Sequence, residues 1–338
     1  MNQMPEKTAH SRFLKGFSRR FPRRWRIFSY WRRKLIFILG AALIGLVSAG
    51  FALGADQAQA VFQTLRALSP TAAFMLSCIG FVIAAIATGR FFPSARGSGI
   101  PQVIAARRYP DPAARRRLIG AGATGWKIAL TLFGLLCGAS IGREGPTVQV
   151  GACIMFLLGN YAGLRRPQGL VLAGAAAGIA AAFNTPLAGI MFAIEEMARS
   201  YERRLSGLII AAVVVAGAVS VSLLGNYKYF GSTSIDTAFT SAMIYAVICG
   251  ICCGVAGSLF SFLLLAIGRL YRSLAQRKWV IYAFPAICGL VVAITGALTH
   301  GYANGTGYEQ TKLALESGHA LPLWYGLLKL ASTVASSA

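Results

Sequence analysis

Residues 142–146, Gly142-Arg143-Glu144-Gly145-Pro146, stand inside the apolar stretch Ile128 to Phe156, where a plain spanning helix would carry leucine or valine. Two charges and two glycines at that depth need a reason. Pro146 suits the first position of a new helix, because the N–H it lacks is one that a helix start leaves unpaired anyway. A helix start inside a membrane offers oriented amides and the positive end of the peptide dipole to an anion. Glu144 at that mouth can act as a tethered anion, taking the place of a dissolved one and leaving it when protonated. The pentapeptide also fits an ordinary loop between two spans, its charges in water, and taken alone it leaves both readings open.

The chain around it moves the balance. Its 338 residues are 56% hydrophobic with mean hydropathy +0.61, and 13% are charged, against roughly half apolar and about 25% charged in a soluble domain. This composition describes an all-α polytopic membrane protein. A net charge of +23 would suit nucleic acid if it were spread over one face, but it is segregated along the chain. Of 33 Lys and Arg, 27 fall in five segments: 1–34, 90–117, Arg165-Arg166, 199–204 and 269–278. Segments 54–67, 226–238 and 300–320 hold only Arg66, Lys228 and Lys312. Basic residues flanking spans mark the cytoplasmic side, so the N-terminus and the five basic segments belong inside and the three poor ones outside. The basic arm then meets anionic lipid headgroups rather than nucleic acid. The apolar stretch Leu35 to Leu53 shows no convincing cleavage site and reads as a retained first helix.

Hydrophobic runs at 35–53, 68–89, 119–140, 206–225, 239–268, 279–299 and 321–338 are long enough to cross. Between 140 and 205 the pattern breaks, and 146–163 and 168–197 read as broken or re-entrant helices. Non-helical backbone at membrane depth is tolerated only inside protein or along a watery cavity. The count of crossings matches the charges if the chain around Asn184-Thr185-Pro186 makes one re-entrant excursion. The organisation expected is a basic arm over 1–34, a first membrane repeat over 35–205 and a second over 206–338. Seven cysteines, Cys78, Cys137, Cys153, Cys249, Cys252, Cys253 and Cys288, all fall in apolar runs. They read as core packing, with neither a disulfide framework nor a metal set, and the residues call for no cofactor.

Two further polar stretches accompany the first. In Arg96-Gly97-Ser98-Gly99-Ile100-Pro101-Gln102 the glycines free the backbone to turn, Pro101 starts a helix, and Ser98 offers a hydroxyl that donates without a full charge. The block Gly174 to Gly189 carries small residues every three to four positions, as close helix packing in lipid favours. It leads into Glu195-Glu196, just before Arg199, Arg203 and Arg204. Of ten acidic residues, only Glu144, Glu195 and Glu196 fall in or beside the broken segments. An ionisable group there is a functional candidate by default, although simple pairing of Glu195 or Glu196 with the nearby arginines also accounts for them.

Gly97-Ser98-Gly99-Ile100-Pro101, Gly142-Arg143-Glu144-Gly145-Pro146 and the Gly174 to Glu196 block, in this order, resemble the CLC family of chloride channels and proton-coupled chloride transporters. The resemblance implies two inverted repeats of broken helices meeting around anion sites near the midplane, a homodimer with one pathway per subunit, and, for a bacterial-type member, the cell inner membrane. It implies that Ser98, Gly99 and Ile100 shape the central anion site. Arg143, Gly145 and Pro146 would shape its outer end, with Glu144 as the gating glutamate. Glu196, preceded by Glu195, matches the inner proton-accepting position that the transporters keep, which favours H⁺/Cl⁻ antiport over passive conduction. Ser98 favours chloride over nitrate or fluoride. Gln102 departs from the Glu common after that Pro in bacterial members, with no mechanistic loss attached.

The resemblance also implies an incomplete second repeat. Lys329 to Ala338 is similar to the lead-in to a Gly-x-Phe-x-Pro helix start that does not occur in this chain. A passive chloride channel and a truncated, non-transporting membrane subunit therefore stand as alternatives to the antiporter. An enzyme is disfavoured: His10, His300 and His319 lie in predicted loops or the arm, and no nucleophile with a paired base is evident.

Overall fold

The computed structural model describes residues 23–109, 111–163, 167–198, 203–225, 239–277, 279–316, 321–322 and 324–337, and among them it contains helices and turns without a strand. Most of the basic arm, Arg165-Arg166, Arg199, segment 226–238, His10 and His319 lie outside the described residues.

The first helix, α1, is Arg23–Leu68. It begins before the expected 35–53 run, so the basic stretch up to residue 34 runs into it, and it continues through the segment expected to be an outer loop. The reason is local. Residues 54–67 are rich in Ala and Gln, good helix formers, and nothing breaks the helix before Ser69-Pro70. Asp56, Gln59, Gln63 and Arg66 fall three or four apart, which puts them on one polar face. Gln63 Nε2 donates to Gly301 O at 3.2 Å, and Gln59 Oε1 accepts from Thr306 N at 3.1 Å.

Ser69 caps α2, Pro70–Arg90, its hydroxyl accepting from Ala72 N. A 3₁₀ turn, Pro93–Ala95, leads to α3, Ile100–Arg108, and Asp111 caps α4, Pro112–Ile119. The N–H groups of Ala113 and Ala114 hold the exposed Asp111 carboxyl below its usual range. One arginine of this basic stretch does not face the surface. Arg115 is 4% exposed and donates to Ala106 O and Tyr109 O at the end of α3. It thereby satisfies carbonyls that a helix C-terminus leaves unpaired.

Next come α5, Ala121–Leu136; α6, Glu144–Tyr161; α7, Pro167–Phe183; and α8, Pro186–Phe192, continued by a π-helical turn, Ala193–Ala198. α6 starts two residues before the expected Pro146. Pro146 sits in the first turn, where no N–H has an intrahelical partner and proline therefore costs nothing. α7 is buried continuously from Gly169 to Ala182. A Cβ on Gly178 would lie 2.6 Å from Thr147 O, and one on Gly151 would overlap the Gly174 carbonyl, so glycine sets the approach of α6 and α7. At Asn184, with φ 54°, the chain reverses, and Gly189 of α8 returns against Ala176 and Ala180. The reversal falls at Asn184-Thr185-Pro186, the place where a re-entrant excursion was expected.

α9, Arg203–Leu224, lies against α7 and α1; Ser220 Oγ donates to Ala181 O at 2.9 Å. α10, Phe239–Leu274, is exposed along most of its length. α11, Val280–Leu298, packs on α2 where Gly289 meets Ser77 and Cys78. The segment expected to be an outer loop, 300–320, contains α12, Tyr308–Glu316. The last apolar run is helical from Tyr325 as α13, Tyr325–Ser337. Pro322 keeps the preceding residues out of it.

Six helical stretches among the described residues are long and apolar enough to cross a membrane: Trp31–Leu68, Pro70–Arg90, Pro112–Leu136, Gly207–Leu224, Ser241–Leu274 and Val280–Leu298. The protein is a multi-pass integral membrane protein.

Candidate functional site

Two interrupted stretches of backbone meet in the first half. In one, Gly97 and Gly99 take φ of 67° and 100°, the left-handed region glycine enters without strain. They turn the chain from the 3₁₀ turn into α3. Lys127 of α5, 3% exposed, donates from Nζ to Ala95 O and Gly97 O and fixes this turn from behind. A buried ammonium is tolerated there because carbonyl dipoles replace its water.

In the other, Arg143 precedes α6 and its carbonyl accepts from Thr147 N at 3.1 Å and Thr147 Oγ1 at 2.7 Å. Its side chain reaches across to α1: Nη1 donates to Ala52 O and to Asp56 Oδ1, both at 2.9 Å. Arg143 is 7% exposed, so a cation is held just behind the helix start.

The two stretches touch. A Cβ on Gly145 would lie 2.7 Å from Ser98 O and 3.1 Å from Ser98 Cβ, and one on Gly99 would lie 3.1 Å from Gly145 O. Any larger residue would push the two helix starts apart. The first turns of α3 and α6, whose leading amides no intrahelical carbonyl reaches, thereby meet at Ser98. Ser98 is exposed, Gly99 and Pro146 are buried, and Ile100, Glu144 and Gly145 are half-buried. The Glu144 carboxylate folds back over Gly142, where any side chain would overlap Oε2. Gln149, one turn into α6, is wholly buried; its Nε2 donates to Leu118 O at 2.7 Å, and its Oε1 faces Gly99.

Glu195 and Glu196 are exposed on the π-helical turn, away from this meeting point. The approaches of Thr147 to Gly178 and of Gly189 to Ala176 and Ala180 place Glu144 level with Ala181 and Glu196 level with Val171. Taken as straight helices at 1.5 Å per residue, this separates the two backbone positions by roughly 15 Å along α7. Arg107 of α3 ties the intervening turn down, donating to Met197 O at 2.5 Å.

Two cavities flank the site. One, about 420 Å³ and largely apolar, extends from Gly97 past Cys137 and Ile141 to Pro285 and Ser336. The other, about 440 Å³ and polar, lies between α1 and the 300–310 stretch, with Asp56, Arg66, His300, Tyr308 and Glu309 in its wall. Burial and the Glu309 carboxylate push the Tyr308 phenol above its ordinary value.

Lys127, Asp56 and Gln149 were not singled out by the sequence reading. The signal for Lys127 was present, since it is a lone cation in an apolar run. Asp56 carried none, because its partner lies 87 positions away.

The chain is 28% identical over 310 residues to the H(+)/Cl(-) exchange transporter ClcA of Citrobacter koseri, covering 86% of this chain and 63% of that protein. It is 32% identical over 306 residues to ClcA of Yersinia pestis, covering 83% and 61%. The chain thus spans about three fifths of the length of these relatives. Its fold matches the crystal structure of a slow cyanobacterial Cl-/H+ antiporter with TM-score 0.72 at 22% identity, covering 90% of this chain and 74% of that one. It matches a CLC-type fluoride/proton antiporter with TM-score 0.71 at 22% identity, covering 91% and 75%. The family profile described as voltage gated chloride channel matches residues 80–338, and with that match over most of its length the chain belongs to this CLC family.

Proposed function

We propose that this chain carries the anion pathway of an H⁺/Cl⁻ antiporter. The observation that carries the reading is the approach of Gly145 to Ser98, which brings two helix starts, a hydroxyl and the half-buried Glu144 to one place inside a multi-pass membrane protein. In this reading Ser98, Gly99 and Ile100 hold the inner side of the anion, and Arg143, Gly145 and Pro146 hold the outer side. Glu144 competes with chloride for the site and leaves it on protonation. Glu196, with Glu195 beside it, hands protons to Glu144 from the inner face, and the roughly 15 Å between their backbone positions calls for water to bridge the route. The ClcA relatives, named H(+)/Cl(-) exchange transporters, support exchange. The structural neighbours, one for chloride and one for fluoride, leave the halide open. Ser98, which the fluoride-specific members replace, supports chloride. The same reading puts the N-terminal arm in the cytoplasm of a bacterial cell, divides the membrane part into repeats near residue 205, and makes the full-length protein a homodimer.

Reconstitution of the full-length protein in liposomes tests it. A chloride gradient should drive protons uphill. Glu144→Gln should reduce proton movement to background, and Glu196→Gln should do the same while chloride flux persists. Full coupling in the Glu144 variant would remove it as the gate. Full coupling in the Glu196 variant would remove it from the proton route. Chloride flux without proton movement in the parent would make the protein a passive channel.

A further inference from the structure

We infer that Asn304, Thr333 and Ser336, all in the second half, are positioning residues for Glu144. Glu144 is carried on a strap, 137–143, that links α5 to α6 without being helical, and Cys137, Ala139, Ser140 and Arg143 in it are all buried. Within a bilayer every backbone polar group of such a strap needs a partner in the protein. The first N–H groups turn back onto α5: Gly138 N donates to Leu135 O and Ala139 N to Gly134 O. Ser77 of α2 donates to Cys137 O at 2.8 Å. Two further backbone partners come from the second half. Asn304 Nδ2 donates to Gly138 O at 2.9 Å, and Ser140 N donates to Ser336 Oγ at 2.9 Å.

Hydroxyl bookkeeping orders the third contact. Thr333 Oγ1 donates its one hydrogen to Lys329 O at 2.8 Å, so in the 2.9 Å pair with Ser140 the Ser140 hydroxyl is the donor. Lys329 in turn donates to Ala303 O and Gly305 O, the carbonyls on either side of Asn304, at 3.1 and 2.8 Å. One face of α13 therefore grips the strap directly through Thr333 and Ser336. It grips it again through the loop that presents Asn304. Ser140 is one helical turn's worth of residues before Glu144, and the strap between them is pinned on both sides, by α13 at Ser140 and by α1 at Arg143. A shift of α13 is passed to the carboxylate.

This inference rests on the reading of Glu144 as the gate. The experiment uses the full-length protein in liposomes and measures protons moved per chloride together with the pH dependence of chloride flux. The variants are Asn304→Asp, which keeps the shape and loses the donor; Thr333→Val, which loses the hydroxyl; and Thr333→Ser, which restores it. The expected result is about a tenfold fall in protons per chloride for the first two, with a displaced pH profile, and parental behaviour for Thr333→Ser. In a Glu144→Gln background Thr333→Val should produce no further change in the pH profile, because no gating carboxylate is left to position. Parental coupling and pH profile in both Asn304→Asp and Thr333→Val would overturn the inference while leaving the gate intact. Loss of folded protein in both would overturn it too, since the contacts would then serve folding alone. A parent that conducts chloride without moving protons sinks the antiport reading instead, and the pH profiles still decide the positioning.

Discussion

α7 and α10 are both apolar helices with no charge through their centres, yet their surroundings are opposite. Every residue of α7 from Gly169 to Ala182 is buried, whereas the most apolar stretch of α10 has no buried residue among those described. Part of the contrast lies in side-chain size, and part in whether a neighbouring helix lies against the small residues. α7 is largely alanine and glycine, and its glycines meet the backbone of α6 at Thr147 and Gly151. α10 presents Ile, Leu, Phe and Tyr outward, at Tyr245, Ile251, Phe262 and Leu265 among others. In lipid, apolarity gives two helices no reason to associate, because the acyl chains are as apolar as leucine; close backbone approach and dispersion contacts do. Small residues permit such burial without producing it: Gly250, Gly254 and Gly257 of α10 are exposed, whereas Met155 and Phe156 of α6 are buried.

The strongest test of that contrast is Gly174→Leu. A side chain there would overlap the Gly151 carbonyl and crowd Met155, so the variant should lose about 3 kcal/mol or more and its monodisperse peak in detergent. An unchanged thermal midpoint would mean that α6 and α7 are not glycine-locked. The two lysines that pin glycine-rich loops extend the comparison to the two halves. Lys127 holds Ala95 and Gly97 at 3% exposure, and Lys329 holds Ala303 and Gly305 while half-buried. Lys127→Met should cost about 2 kcal/mol and Lys329→Met about 1, since the Lys127–Ala95 hydrogen bond is the one of the four that is wholly buried. Paired thermal unfolding in one detergent checks this, and equal shifts would say that the halves are equally dry. The smallest effect is expected for Gly254→Leu on α10, where a Cβ meets nothing within 4 Å. Its stability should change by no more than about 0.5 kcal/mol, and a loss comparable to that of Gly174→Leu would show that α10 packs against a further surface in the intact protein.

Much of this architecture was legible in the residues. Long apolar runs separated by basic clusters define spans, because partition into lipid depends on composition over about twenty residues. Breaks announce themselves as Gly, Pro and charge within such runs, as at Ser98, Glu144 and Asn184. Helix ends were less legible. α1 continues to Leu68 with Asp56, Gln59, Gln63 and Arg66 on one helical face, a periodicity that a hydropathy window averages away. Pro146 was expected at the first helical position and lies at the third, both being places where a missing N–H is free of cost. The Arg115 guanidinium was counted among surface charges, and only its distance of 2.7 Å to Tyr109 O shows it working inside.

By itself the sequence determined the helical membrane class, the interrupted segments and the identity of the residues at each interruption, since these depend on composition and on spacing along one chain. Tertiary structure decided which interruptions meet. The approach of Gly145 to Ser98 spans 47 positions, that of Asn304 to Gly138 spans 166, and the partner of Arg143 proved to be Asp56 on the first helix. No local pattern encodes such pairings. They follow from how the helices stack, and in a bilayer that is set by the fit of small surfaces and the need to satisfy every interior backbone group.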